Sequence, residues 1–357
     1  MRNTAGYVGL IVLMMTETIL SGETMTIGGS QVNGVGDTKH AVSTMEAEEI
    51  LQSGEQEDLI FAVFAESAEQ LDHTILLAES IRTFGGRYRD NPVWALVPPD
   101  EIDLSADLDA RIKELGMELF ESAAPPGVLW FYYARKVFAA ARAEARAEGR
   151  GRILAWLDED TIVLREPGAF ALDSDHALAY RPVMHKNIGS LYSEPVDDFW
   201  ARVYRRLAVP DSALFPMITP ADGDTIRPYF NAGLLVVRPE RGILRRWAGD
   251  FEKLYTDSIL VDQCRQDVLK RIFLHQTALV GSILHLVNRE EMVELSGHYN
   301  YPLFFKEMYG ASQAFDSLEQ VVTLRYDVYF RDPAPDWQEK LKGPRDRVSW
   351  LIERLGR

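Results

Sequence analysis

ILAWLDEDTIVLREP, residues 153–167, passes from an apolar run into Asp158, Glu159 and Asp160 and returns to an apolar run. ILAWL has strand length and no polar residue, the pattern of a strand buried on both faces of a parallel sheet. Acids at the carboxyl end of such a strand sit where open α/β sheets bind ligands. A solvated acidic turn would look the same in isolation, so the surrounding sequence decides.

Working outward, DLIFAVFAES (58–67) is another apolar run of strand length ending in small polar residues. LDHTILLAESIRTFG follows with Leu71, Ile75, Ala78 and Ile81 on one helical face, and NPVWALVPP (91–99) reads as a second strand. Strand, helix and strand at this spacing form a βαβ unit and hence a parallel sheet. Residues 128–148 predict a long helix with Trp130, Ala134, Val137, Phe138, Ala141 and Ala145 as its apolar stripe, and Arg135, Arg142 and Arg146 on a solvated face. Downstream, HALAYRPVMHKNIGS (176–190) predicts a strand and then a loop, and DDFWARVYRRL (197–207) a short amphipathic helix. PYFNAGLLVVRPERG (228–242) predicts a strand, and residues 243–256 and 258–287 helices. HYNYPLFF (298–305) reads as an aromatic loop, VVTLRYDVYF (321–330) as a last strand and RDRVSWLIERL as a closing helix. No internal repeat or sharp composition break marks a second domain.

The 357 residues allow one large domain or two ordinary ones, and 46% apolar with 26% charged residues is a soluble, globular balance. With 38 Lys plus Arg against 54 Asp plus Glu, the net charge of −16 argues against nucleic acid or anionic membrane as main partner. A phosphorylated ligand stays possible, since one metal ion or a few local cations can bind it. The single cysteine, Cys264, rules out an intrachain disulfide and a Cys-based zinc site and points to a reducing, cytoplasmic setting. Near the start, GYVGLIVLMM after Arg2 is signal-like in charge and apolar core but too short to span a bilayer, and TETILSGETM lacks a clean cleavage pattern, so a weak signal and a mis-set start are both open. Residues 21–57 are rich in Gly, Ser, Thr and Glu without periodicity and read as a flexible lead; Met14, Met15, Met25 and Met45 are alternative starts. No later segment has the pattern of a membrane span.

A lone Asp-x-Asp is a weak signal, and this chain has four: Asp107/Asp109, Asp158/Asp160, Asp173/Asp175 and Asp222/Asp224. Only the second directly follows a fully apolar run; the others lie in polar stretches where a solvated surface suffices. Two carboxylates one residue apart at a strand end can converge on a hard cation, which then neutralises diphosphate oxygens and stabilises a departing nucleoside diphosphate.

Several pieces now fall into one order. FAVFAESAEQLDHTILLAESI, ILAWLDEDTIVLREP, YFNAGLLVVRP, FLHQTAL and HYNYPL together resemble the GT-A glycosyltransferases, in particular the glycogenin-like (family 8-like) enzymes that transfer sugars from nucleotide diphosphates. They match, in turn, the family's first strand and nucleotide-facing loop, its "YLDxDxxv" element, its "FNsGvlvi" strand, its "DQ-x-x-L" helix and its "YN" element. The resemblance spans residues 58–330. It implies a single α/β domain of GT-A type with a mostly parallel sheet and helices on both faces. It divides the chain into an extension (1–57), a glycosyltransferase domain (58–340) and a C-terminal helix (341–357).

The resemblance also implies roles. Asp158 and Asp160 would hold Mn2+ or Mg2+, with Asp158 also near the donor ribose. Asn231, Ala232 and Gly233 would line the donor-sugar pocket, where glycine allows close backbone approach. Gln276 would contact the transferred sugar, and Glu66 and Ser67 the base and ribose of a UDP-sugar donor. The acceptor would be a glycan or another molecule the sequence does not name. There are departures: His275 stands where the family has Asp, with Asp262 and Gln263 as an alternative alignment. The family's third metal ligand, a late His, has no counterpart, for TLRYDVYF puts Arg325 near that place. Asp327 or another group substitutes, or the metal is held weakly, or a cation there neutralises diphosphate itself.

Each residue has a plainer reading. Asn231 could only satisfy backbone groups, His275 could be a helix-surface residue, YNYP could be aromatic packing, and His185, Lys186, Asn187 and Ser190 could form an ordinary loop or part of a phosphate or acceptor site. A haloacid-dehalogenase-like phosphatase also uses Asp-x-Asp after a strand, but Ile162 stands where Thr or Val is needed and about 100 residues of folded chain come first. A binding module on the same scaffold, without turnover, is the non-enzyme alternative. GGSQVNGVG has no strand before it, so it is not a phosphate loop.

Overall fold

A computed structural model describes residues 59–303, 314–326 and 334–356. The extension 1–57 expected from the sequence lies outside the described residues, as do Asp327 and the end of the strand expected over 321–330. The chain runs β1 (Leu59–Phe64), α1 (Ala68–Phe84), β2 (Val93–Val97), α2 (Ala106–Glu114), β3 (Met117–Glu121), α3 (Ala134–Ala147), β4 (Ile153–Leu157), β5 (Thr161–Val163) and β6 (Leu178–Pro182). It continues through α4 (Asp198–Leu207), β7 (Met217–Ile218), β8 (Thr225–Ile226), β9 (Phe230–Val237), α5 (Ile243–Tyr255), α6 (Ser258–Gln266) and α7 (Val268–Leu286). Last come β10 (Met292–Glu294), β11 (Tyr301–Pro302), β12 (Thr323–Arg325), α8 (Trp337–Lys340) and α9 (Arg345–Leu355). Among the described residues no helix is long and apolar enough to cross a membrane.

The main sheet has seven strands in the order β10-β6-β9-β4-β1-β2-β3, and only β9 runs against its neighbours. Strand alternation sorts its side chains to two faces. Ile60, Ala62, Trp94, Trp156 and Leu235 point to a core shared with α3, α4, α5 and α7. Phe61, Val63, Ala95, Ala155 and Leu234 point to a second core closed by α1 and α2. The expected single α/β domain, with a mostly parallel sheet and helices on both faces, is therefore the fold observed.

The order places the site. From β1 the chain moves outward to β2 and β3, then returns to lay β4 on the other side of β1. Between β1 and β4 lies the topological switch point of the sheet, and its carboxyl-end crevice is where α/β folds bind ligands. Glu66 and Ser67 follow one of these strands and Asp158 the other. A smaller three-stranded sheet, β11-β12-β5, packs over this end and has its own core.

Two expectations are corrected, and two elements had no expectation. The helix over 128–148 begins only at Ala134, because Tyr133 takes left-handed backbone angles (φ 58°). Its buried side is Ala134, Val137, Ala140, Ala143, Glu144 and Ala147, while Trp130 and Ala145 are exposed. The helical run over 258–287 breaks at Asp267, which is extended and caps α7 by accepting from Leu269 N–H at 2.9 Å. Between β2 and β4, α2 and β3 were not read from the sequence, since the amphipathic ADLDARIKE and MELFE present little apolar surface.

Candidate active site

Asp158 and Asp160 leave β4 into a tight turn, in which Thr161 N–H donates to Asp158 O at 3.2 Å. Both acids are buried, at 7% and 1% exposure, whereas Glu159 between them is half-exposed. The solvated-turn reading therefore fails: buried carboxylates need partners, and here they have cations. Lys136, from α3, forms an ion pair with Asp158 Oδ1. The Arg325 guanidinium bridges the two acids, with Nη1 3.1 Å from Asp158 Oδ2 and Nε donating to Asp160 Oδ1 at 2.8 Å. Burial works to raise the Asp158 carboxyl, but the charges of Lys136 and Arg325 hold it below its ordinary value. Burial pushes Glu159 up, and the charges of Asp158 and Asp160 push the same way.

Arg325 arrives from a remote part of the chain by register. Its strand, β12, runs antiparallel to β5 with Arg325 opposite Thr161, the residue after Asp160. Tyr326 N–H donates to Asp160 O at 3.3 Å, which fixes the two segments together.

The second motif meets the first across the sheet. β4 and β9 pair antiparallel, and Asp158 N–H donates to Gly233 O at 2.9 Å just beyond the last paired residues. A Cβ on Gly233 would stand 2.0 Å from Asp158 Oδ2, so any larger residue there forces the carboxylate to move. Asn231 Oδ1 accepts from Gly233 N–H at 2.7 Å, so the plainer role read for Asn231, satisfying backbone at a strand start, is observed. Ala232 is buried beside it.

His275 and Gln276 lie on α7, which packs on β9. His275 is not a surface residue: it is 3% exposed, and its Nδ1 donates to Ile272 O at 2.8 Å. Because a carbonyl only accepts, Nδ1 carries the proton and Nε2 the lone pair. Burial, and then the charge of Lys136, pull the imidazole down to about 3, so it is neutral at physiological pH. The Tyr133 ring packs against it at a tilt, with centroids 4.9 Å apart. Gln276 is buried, and its Oε1 has no hydrogen-bond partner among the described residues. The alternative Asp262 lies at the surface, paired with Arg265 at 2.7 Å.

Ser67 caps α1 by accepting from Gln70 N–H at 3.2 Å, and Glu66 stands 3.3 Å from Arg135 Nε. Arg135 is thus not part of a solvated stripe; it is held by Glu66 and, at 2.5 Å, by Glu101. Arg146 lies 3.6 Å over the Phe120 ring. In the His185–Ser190 loop, His185 Nδ1 lies 2.8 Å from Asp222 Oδ1 and Lys186 N–H donates to Asp222 Oδ2 at 3.0 Å, so Asp222 organises this loop. The YNYP element packs through its aromatics, with Tyr299 5.5 Å from Phe170. Cys264 is buried on α6, and burial pushes its thiol up to about 12, which disfavours the reactive thiolate.

Lys136 was not singled out from the sequence. Its signal there is slight: it is the one lysine in a helix whose other cations are arginines. As folded, the donor set does not fit Mn2+ or Mg2+. Both carboxylates already carry cations, and among the described residues no three His, Cys, Asp or Glu groups converge.

Several solved structures show a distant likeness to the chain. A galactosyltransferase, LgtC, in complex with donor and acceptor sugar analogues is 16% identical over 83% of this chain and 94% of its own, with a TM-score of 0.44. The glycosyltransferase GlyE of Streptococcus pneumoniae TIGR4 is 16% identical over 84% of this chain and 60% of its own, with a TM-score of 0.39. Mouse xyloside xylosyltransferase 1 is 11% identical over 75% and 97%, with a TM-score of 0.41. Likeness at this level carries no argument about function. No curated protein matches the sequence. The family described as the Rhodobacterales glycosyltransferase domain matches residues 61–285, a span that holds most of β1, the acidic turn, the FNAG strand and most of α7. The chain belongs to this glycosyltransferase family.

Proposed function

We propose that the protein moves a glycosyl unit from a UDP-sugar to a glycan acceptor at the crevice between β1 and β4. The observation that carries this reading is the meeting of the acidic turn and the FNAG strand. Asp158 fills the space over Gly233, so the donor-sugar floor and the diphosphate-facing charges form one structure. In this reading Glu66 and Ser67 border the base and ribose, with Asp158 on the ribose side. Asn231, Ala232 and Gly233 line the sugar; Asn231 contacts it through Nδ2, since its oxygen is held by Gly233. Gln276 Oε1, buried and without a partner among the described residues, accepts from a sugar hydroxyl. His275, neutral beside it, keeps that side of the pocket free of a competing charge.

Breaking the donor's glycosidic bond places negative charge on the departing nucleoside diphosphate. Fixed cations aimed at that charge stabilise the transition state without having to reorganise. Lys136 and Arg325, held by the acidic turn, are such cations. A cytoplasmic location belongs to the same proposal and rests on the single, buried cysteine.

The test is a calorimetric titration with UDP, with ADP and GDP as controls, followed by a screen of UDP-sugars for release of UDP. Selective UDP binding and sugar-dependent UDP release are expected, with release reduced in Gln276→Ala. Binding without release from any UDP-sugar would favour a non-transferring module, and no binding of any nucleoside diphosphate would overturn the reading.

A further inference from the structure

We propose that Arg325, together with Lys136, takes the place of a divalent cation, so that the nucleoside diphosphate is bound without metal. The inference rests on the donor reading above. A metal on an Asp-x-Asp turn needs lone pairs from both carboxylates at the point where they converge. That point is occupied. Arg325 Nη1 lies 3.1 Å from Asp158 Oδ2 and Nε 2.8 Å from Asp160 Oδ1, and Lys136 takes the other Asp158 oxygen. Two carboxylates thus face two cations, and their charges cancel. A divalent ion would have to expel the guanidinium, and no third protein ligand of suitable type converges there among the described residues.

Arg325 is not a chance neighbour. The β12–β5 register sets it opposite Thr161, and Tyr326 N–H bonds Asp160 O at 3.3 Å, so the backbone itself holds the guanidinium against the turn. Burial disfavours its charge, but Asp160 and Asp158 hold it firmly protonated. The fork has five N–H donors, and the two contacts use Nε and one Nη. The Arg325 side chain is 31% exposed, which leaves a ligand a route to it, and a guanidinium fork can meet two phosphate oxygens at once. Asp158 and Asp160 then act as positioning residues for a permanent cation.

The experiment uses the full chain. UDP is titrated calorimetrically in excess EDTA and again in excess Mn2+, and Mn2+ alone is titrated into the nucleotide-free protein. Affinities for UDP that agree within about threefold, with no stoichiometric Mn2+ binding, are expected. Arg325→Ala should weaken UDP binding by about 10- to 100-fold, the range for losing charge-assisted hydrogen bonds, and Arg325→Lys by less. Should Arg325→Ala fail to fold, the wild-type titrations and Arg325→Lys still decide. UDP binding that requires Mn2+, or a stoichiometric Mn2+ site in the nucleotide-free protein, would overturn the inference and leave the transferase reading intact. No binding of UDP or another nucleoside diphosphate in either medium would overturn the donor reading, and the inference with it.

Discussion

Replacing Gly233 by alanine tests the join between the two motifs. The added Cβ would lie 2.0 Å from Asp158 Oδ2, 2.7 Å from Asp158 Cγ and 3.1 Å from Asn231 Oδ1. Gly233 does not have positive φ, so the backbone tolerates alanine and the cost is spatial. The carboxylate must retreat by about 1.5 Å to reach ordinary contact, yet it is short and clamped by Lys136 and Arg325. Overpacking costs about 1–3 kcal/mol, and loosening a buried ion pair adds to this, with about 3–5 kcal/mol as the limit for losing a partner outright. Against these, alanine reduces unfolded-state entropy and returns about 0.4–1 kcal/mol. The net expectation is a loss of about 1–3 kcal/mol, with weaker UDP binding, measured by urea unfolding and calorimetry. In an Asp158→Ala background the clash is gone, so Gly233→Ala should be neutral or stabilising by up to about 1 kcal/mol. An equal cost in both backgrounds, or no cost in the wild type, would refute the close approach.

Three further outcomes are expected. His275 has an ordinary value of 6.5 when unfolded and about 3 when folded. In that window the unfolded chain binds a proton the folded chain refuses, so stability present above about pH 6.5 is lost on acidification at about 1.4 kcal/mol per pH unit. Urea unfolding free energies at about pH 6.5 and about pH 5.5 should differ by about 1 kcal/mol on this account, the slope reaching its full value below about pH 5.5, and His275→Gln should lack the difference. Gly281→Ala would put a Cβ 2.3 Å from Leu207 Cδ1, where α7 meets α4. Overpacking of about 1–3 kcal/mol outweighs the helix-propensity gain of about 1 kcal/mol, so melting temperature should fall while UDP affinity is kept. Glu144, fully buried on α3, accepts from Leu244 N–H at 3.0 Å and Arg245 N–H at 2.8 Å, two amides at the start of α5. Glu144→Ala strands both and should cost at least about 2 kcal/mol in urea unfolding.

Much of this was legible from local pattern. Leu71, Ile75, Ala78 and Ile81 are the buried face of α1 as their spacing predicted, and FNAGLLVV is strand β9 over its full length. The helix predicted over 128–148 was misplaced because side-chain periodicity says nothing about one residue, Tyr133, taking left-handed angles. Its apolar stripe was then rotated, and Arg135 was read as solvated when its partners, Glu66 and Glu101, lie far back in the chain.

By itself the sequence determined the α/β class, the strand–helix order and the presence of acids at a strand end, because helix and strand periodicities and apolar runs act over a few residues. Only the tertiary structure decided what those acids do. Lys136 comes from α3, Arg325 from a strand of a second sheet and Gly233 from an antiparallel neighbour, and the three converge on Asp158 through register and packing. Buried carboxylates take whichever charges the fold brings within about 3 Å, and that choice depends on which distant strands pair and in what register.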